Sequence, residues 1–155
     1  MKILVMSDSH GNSSRMYQLF KEQNPRAVIF LGDGLRDADY LFDRSGAVPI
    51  YWVKGNCDLM TGTIVPEEQF LELSGKKIFI THGHNYFVKQ GTYKLLQKAK
   101  ELLADVALFG HTHIQHYEKQ DGIILANPGA LAGGKYAIMT IENKEISIKH
   151  GDIYE

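Results

Sequence analysis

A chain of 155 residues is the usual size of one domain, residues 1–155, and buries on the order of 70% of its unfolded surface, enough for a core without staples. A formal net charge of -1 gives no long-range pull toward nucleic acid or membrane, so any anion must be caught locally. The single cysteine, Cys57, cannot close an internal disulfide, and there is neither a charged-then-apolar leader nor an apolar run of about 18 residues, which predicts a soluble, cytoplasmic protein.

In chain order, an apolar strand at Ile3 to Met6 is followed by a helix over Ser13 to Gln23, with Asn12, Ser13 or Ser14 as its cap. A strand at Val28 to Leu31, a helix over Arg36 to Arg44 and a strand at Ile50 to Val53 complete a β-α-β-α-β series, the order of a parallel sheet covered by helices. A further buried strand is predicted at Ile78 to Ile80, and a third helix over Thr92 to Ala104, where Leu95, Leu96, Ala99, Leu102 and Leu103 make an apolar stripe. Short turn-separated strands follow at Val106 to Phe109, Ile114 to Glu118, Ile123 to Ala126, Tyr136 to Ile141 and Ile146 to Lys149, and they read as a largely antiparallel run. The fold class is therefore α/β: two mixed sheets packed face to face and flanked by helices, a four-layer α/β-β/α sandwich.

Five of the predicted strands end in a short polar motif: Asp8-Ser9-His10, Gly32-Asp33, Gly55-Asn56, Thr81-His82-Gly83 and Gly110-His111-Thr112-His113. Parallel strand ends gather on one edge of a sheet, where α/β proteins build their sites. Asp8, His10, Asp33, Asn56, His82, His111 and His113 are thus candidate ligands for metal. In extended geometry residues two apart point the same way, so Asp8 with His10, and His111 with His113, can each seize one ion. Carboxylate oxygens and imidazole nitrogens without thiolates suit Mn, Fe, Zn, Co or Ni. A lone D-x-H recurs by chance, and one histidine at a strand end is ordinarily a hydrogen-bonded polar residue; five such motifs in order make a constellation. Two carboxylates with neutral histidines would repel a phosphate, whereas two divalent ions and one hydroxide leave a net charge of about +1, complementary to a phosphodiester monoanion.

The order of these motifs, with Gly55-Asn56-Cys57-Asp58, Thr81-His82-Gly83-His84 and Asn127-Pro128-Gly129, resembles the calcineurin-like metallophosphoesterase superfamily, and within it the small bacterial and archaeal phosphodiesterases. The resemblance implies one metal held by Asp8, His10, Asp33 and His113 and a second by Asp33, Asn56, His82 and His111. Asp33 would bridge two ions about 3.5 to 4 Å apart. Manganese is the implied metal, with Ni, Co, Fe or Zn as alternatives. The implied reaction is hydrolysis of a small phosphodiester by in-line attack of a bridging hydroxide on phosphorus, Asn56 donating a hydrogen bond to a nonbridging oxygen.

The pattern departs from the family at Cys57, where many members carry the histidine that protonates the leaving group. A thiol beside two cations tends to lose its proton, so diesters with acidic leaving groups are expected to be favoured. His84 is a substitute acid or a hydrogen-bond partner of His82, and Arg36 a phosphate contact or an exposed helix-start arginine. Asp58 is read as orienting its own loop and Asn127-Pro128-Gly129 as supporting the Gly110 to His113 loop. Asn85, Tyr86 and Phe87 either line the pocket or pack as aromatics. The retromer subunit that resembles these enzymes supplies the alternative of a metal-binding interaction scaffold with little activity, and a phosphomonoesterase is a third reading. There is no basic, aromatic-interleaved track for extended nucleic acid and no membrane segment; a homo-oligomer is compatible with the sequence.

Overall fold

The computed structural model describes residues 1–58 and 64–155. The strands are β1 (Lys2–Met6), β2 (Ala27–Phe30), β3 (Ile50–Trp52), β4 (Glu68–Leu73), β5 (Lys76–Thr81), β6 (Val106–Leu108), β7 (Gln115–Gln120), β8 (Ile123–Pro128), β9 (Lys135–Glu142) and β10 (Glu145–Asp152). Among the described residues three α-helices accompany them: α1 (Ser13–Gln23), α2 (Leu35–Phe42) and α3 (Tyr93–Glu101). The strands form two mixed five-stranded sheets, ordered β10-β9-β1-β2-β3 and β4-β5-β6-β8-β7.

The continuous apolar strands are explained by burial on both faces. Along β1, Ile3 and Val5 point between the sheets, against Ile78 and Ile80 of β5, Val106 and Leu108 of β6 and Met139 of β9. The alternate residues Leu4 and Met6 point outward, under Met16 and Leu19 of α1 and Leu41 of α2. In the second sheet Phe79 and Ala107 turn toward Leu95, Leu96 and Ala99 of α3. Each such aliphatic side chain contributes about 1.5 to 3 kcal/mol on full burial, so both outer helical layers are anchored by the period-2 alternation of the strands beneath them. Among the described residues no helix is long and apolar enough to cross a membrane.

Helix α1 spans the residues predicted for it. Asn12 sits at its N-cap position but makes no side-chain capping bond; its amide instead donates to the carbonyl of Ser9 at 3.0 Å. Helices α2 and α3 are shorter than their apolar periodicity suggested, and Phe42 and Leu103 beyond the packed stripes are exposed.

The largely antiparallel second half holds for β7 with β8, β9 with β10 and β9 with β1, and β6 is its exception. β5, β6 and β8 run parallel to one another, because β7 passes to the sheet edge and lets β8 enter beside β6. β9 and β10 leave that sheet altogether, β9 pairing antiparallel with β1. Strand β4 was not anticipated: it is an edge strand, with Glu68, Phe70 and Glu72 facing outward, and so lacks a continuous apolar run.

Candidate metal centre

The polar motifs follow the C-terminal ends of parallel strands: Asp8 and His10 follow β1, Asp33 follows β2, Asn56 follows β3, His82 follows β5, and His111 and His113 follow β6. At five of these residues the chain takes a left-handed backbone, with φ of 52° at Asp8, 46° at His10, 60° at Asp33, 70° at His111 and 64° at His113. This corrects the extended geometry expected for the Asp8-His10 and His111-His113 pairs. The strands stop at Met6 and Leu108, and the side chains converge through tight turns rather than through strand alternation. Such conformations cost of order 1 to 3 kcal/mol each outside glycine and cluster at functional sites.

The convergence produces two groups of potential ligand atoms, Asp8-His10-His113 and Asp33-His82-His111, the atoms of each group lying within 4.8 Å of one another. Asp8 Oδ2 accepts from the Ser7 hydroxyl at 2.5 Å and from the His111 amide at 3.1 Å. Its Oδ1, fully buried, has no hydrogen-bond partner; around it stand Nε2 of His113 at 3.1 Å and Nε2 of His10 and His82, each at 3.9 Å. Nδ1 of His82 lies 2.7 Å from the Leu31 carbonyl, which can only accept, so Nδ1 carries the hydrogen and Nε2 turns its lone pair into the site. That Nε2 is 3.3 Å from Asp33 Oδ2, yet it too is buried without an aligned hydrogen bond. Asp33 Oδ1 accepts from the Cys57 amide at 2.8 Å.

Two buried polar atoms aimed at one space, each lacking a hydrogen-bond partner, are costly unless a cation lies between them. The electrostatics point the same way. Burial opposes charge on both residues, but His82 holds the Asp33 carboxyl well below the usual carboxylate range, and Asp33 with Asp8 pushes the His82 ring upward. Burial and the His82 ring push His111 and His84 down, keeping those imidazoles neutral and able to donate lone pairs. The donor set fits divalent ions of the Mn, Fe, Co, Ni and Zn series.

The loops that carry these groups are tied by side chains outside them. Asp58 accepts main-chain hydrogen bonds from Asp33 at 2.8 Å, Gly34 at 2.8 Å, Leu35 at 3.0 Å and Gly55 at 2.8 Å, so it orients the loop after β2 as well as its own. Asn127 donates to the Gly110 carbonyl at 2.9 Å and the Thr112 hydroxyl at 3.0 Å, supporting the loop after β6. Asp37 accepts from the Ser9 hydroxyl at 2.5 Å and the Gly11 amide at 2.9 Å. Ser7, Asp37 and the wider reach of Asp58 escaped sequence reasoning. Only Asp58, three residues beyond Gly55, carried a local signal.

The remaining candidates fall around the rim. Asn56 is exposed, with its amide 3.5 Å from the Cys57 sulfur, and Cys57 is exposed beside it. Burial and the carboxylates of Asp33, Asp58 and Asp8 push the thiol up, opposite to the effect of cations. Arg36, His10, Asp33, Asp39 and Cys57 line a cavity of about 500 Å³, which brings Arg36 to the edge of the site. His84 stands with its ring 5.5 Å from that of His82 and 6.1 Å from that of His111, but Leu31 rather than His84 is the partner of His82. Tyr86 packs edge-on against Phe79 at 5.9 Å and donates to Glu68; Asn85 donates to Glu67. Lys94 covers the ring of exposed Phe87, so the three residues serve surface packing.

Residues 1–151 match the family model of the calcineurin-like phosphoesterase superfamily domain. The chain belongs to that superfamily. Among calcineurin-like phosphoesterases it is 40% identical over 134 residues to a probable metallophosphoesterase of Mycoplasma pneumoniae, covering 84% of this chain and 79% of that protein. It is 29% identical to the phosphodiesterase MJ0936 of Methanocaldococcus jannaschii over 91% of this chain and 90% of that one. A crystal structure of a predicted phosphoesterase from Streptococcus pneumoniae superposes with a TM-score of 0.83 at 30% identity, over 97% of this chain and 88% of the other. The two mixed sheets flanked by helices are the architecture shared with such neighbours.

Proposed function

We propose that this chain is a single-domain, dinuclear metal-dependent phosphodiesterase acting on a small phosphodiester. The observation that carries the reading is the pair of partnerless buried atoms, Asp8 Oδ1 and His82 Nε2, aimed into one space between the two ligand groups. Asp8, His10, Asp33 and His113 would hold one ion and Asp33, Asn56, His82 and His111 the other. Manganese is the proposed metal and the cytoplasm the proposed compartment. Bound divalent ions supply charge neutralisation of the phosphate and activation of water for in-line attack.

The chain's own part is positional. The Cys57 amide holds one Asp33 oxygen and leaves the other toward His82, and the Leu31 carbonyl fixes the His82 tautomer. Asn56 stands exposed at the rim, where its amide can donate to a nonbridging phosphate oxygen. Arg36 lies on the neighbouring cavity wall, within the region a substituent of the ester would enter.

The test is hydrolysis of bis(p-nitrophenyl) phosphate with Mn²⁺ by the wild type and by Asp33→Asn. The proposal expects turnover that falls by about three orders of magnitude or more in the variant. Equal rates, or none with either protein, would favour an interaction scaffold of the same fold. Faster release from p-nitrophenyl phosphate than from the diester would favour a phosphomonoesterase.

A further inference from the structure

The first sheet ends in an open edge. β10 is its outermost strand, and among the described residues only β9 pairs with it. It runs for 8 residues, a long edge of the kind that natural proteins normally blunt, because its unpaired amides and carbonyls offer a template to another strand.

Which main-chain groups are free follows from the turn before it. Asn143 and Lys144 both have positive φ, 51° and 62°, as in a two-residue type I′ turn, and such a turn closes on a hydrogen-bonded pair, here Glu142 with Glu145. Hydrogen-bonded pairs recur at every second residue, so Glu145, Ser147 and Lys149 turn their main-chain groups toward β9. The Ile153 amide, donating to the Gly134 carbonyl at 2.9 Å, continues the same parity. The amides and carbonyls of Ile146, Ile148 and His150 therefore point out of the sheet.

The side chains alternate between the two faces. Ile146 and Ile148 are partly buried against the core between the sheets, and His150 on the same face reaches the Asn127 carbonyl at 2.8 Å. Glu145, Ser147 and Lys149 are exposed on the opposite face. The run Glu145-Ile146-Ser147-Ile148-Lys149 reads the same in both directions in hydropathy and reverses in charge. Set antiparallel against a second copy about a two-fold axis at Ser147, it places Glu145 opposite Lys149 twice and Ile146 opposite Ile148 twice. The isoleucine pairs are then the hydrogen-bonded ones, which engages the outward main-chain groups, and the Glu145-Lys149 pairs are the non-hydrogen-bonded ones, whose side chains approach closest.

The other sheet edges lack this property. β3 has 3 residues. On β4 a two-fold axis at Phe70 would set Glu68 against Glu72, like against like. On β7 the Glu118 carboxylate is already held within its own chain, by Thr92 at 2.5 Å and Gln120 at 3.0 Å. We infer that the β10 edge is an interface for a second copy of this chain, paired antiparallel over Glu145 to Lys149, so that two five-stranded sheets become one continuous sheet across a two-fold axis. Ile146 and Ile148 of the two copies then extend the inter-sheet core across the seam, and the paired charges select this register over its neighbours. The inference does not depend on the phosphodiesterase reading.

Sedimentation equilibrium of the full chain, from about 1 μM to about 0.5 mM, tests it. The wild type should show a monomer–dimer equilibrium with a Kd of about 100 μM or tighter, as suits a small interface. Glu145→Lys and Lys149→Glu, both at exposed positions, each set like charges opposite one another twice and should weaken self-association by about tenfold or more. In an equimolar mixture of the two variants unlike charges face one another again, and the affinity between them should return to within about threefold of wild type. Hydrogen exchange at the Ile146 and Ile148 amides should slow as wild-type concentration rises, whereas that at Ser147, bonded to β9 in either state, should not change. A wild type that stays monomeric to about 0.5 mM, single variants that associate as wild type does, or a mixture no stronger than its components would each overturn the inference.

Discussion

The main-chain amide of Asp33 donates to the Asp58 carboxylate at 2.8 Å, and the same carboxylate takes the amide of Gly55, also at 2.8 Å. One side chain thus sets the relative positions of two ligand loops, and it does so with charge-assisted bonds. Asp58→Asn preserves the shape but turns an amide nitrogen toward donors, so Mn²⁺ affinity should fall by about 10- to 100-fold. Asp58→Ala should lose more, with a stability loss of about 2 kcal/mol or more from four amides left without their acceptor. Calorimetric titration with Mn²⁺ and thermal unfolding measure the two effects; wild-type affinity in Asp58→Asn would show that the tie does not position the ligands.

Removing divalent metal should lower the melting temperature without unfolding the chain. A ligand present at about a hundredfold excess over its Kd stabilises by about 2.7 kcal/mol. His82→Gln and His113→Gln, one from each ligand group, should each remove one of two binding steps in a Mn²⁺ titration. A variant that retained both steps would place its residue outside the metal shell.

The leaving group provides a third prediction. Cys57 stands on the wall of the cavity that Arg36 and Asp33 also line, and a thiol beside bound cations tends to lose its proton rather than keep one for a leaving group. The wild type should hydrolyse nitrophenyl diesters far faster than alkyl diesters. Cys57→His should raise alkyl-diester turnover by about 100-fold, within the range of general acid catalysis, and leave nitrophenyl turnover little changed. Comparable wild-type rates on the two ester classes would contradict this.

Acid stability should depend on Glu118. The Thr92 hydroxyl bond, opposed by burial and aided by His116, holds its carboxyl below the ordinary value of 4.5. A depressed folded pKa contributes stability that is present above the unfolded value and lost as pH falls through the folded one. Wild type should therefore exceed Glu118→Gln in stability at pH 7, by under about 1 kcal/mol for a surface group partly screened by solvent, and the difference should vanish in strong acid. Denaturant midpoints of both proteins across the acid range give the comparison.

Where the sequence was legible, the physics was local. The two-sided burial of Ile3 to Met6 wrote an unbroken apolar run, and parallel strand ends put polar motifs on one edge. The glycines beside those motifs mark places without room: a Cβ at Gly55 would come within 2.6 Å of the Asp33 amide, and one at Gly110 within 2.8 Å of Asp8 Oδ2. The return of β9 to the first sheet was illegible because its partner β1 lies far along the chain, and β4 was missed because its outward-facing Glu68 and Glu72 break the apolar run, although it pairs with the neighbouring β5. The turns at Asp8 and His10 were misread for a related reason: strand alternation predicts side-chain direction only while the strand continues. Asp37 gave no signal, since what it does depends on Ser9 and Gly11 arriving from another loop.

The left-handed turns at Asp8, His10, Asp33, His111 and His113 have a practical corollary. Conformations this unfavourable must be imposed by the surrounding packing and hydrogen bonds, which exist before any ion arrives. The protein is then a cast rather than a clay: it can be stripped, refilled with one cation after another, and assayed in a nearly constant frame. Differences in rate among Mn, Co, Ni, Fe and Zn fillings would report the chemistry of the ion itself, and an ion too large for the mould should bind weakly instead of reshaping it.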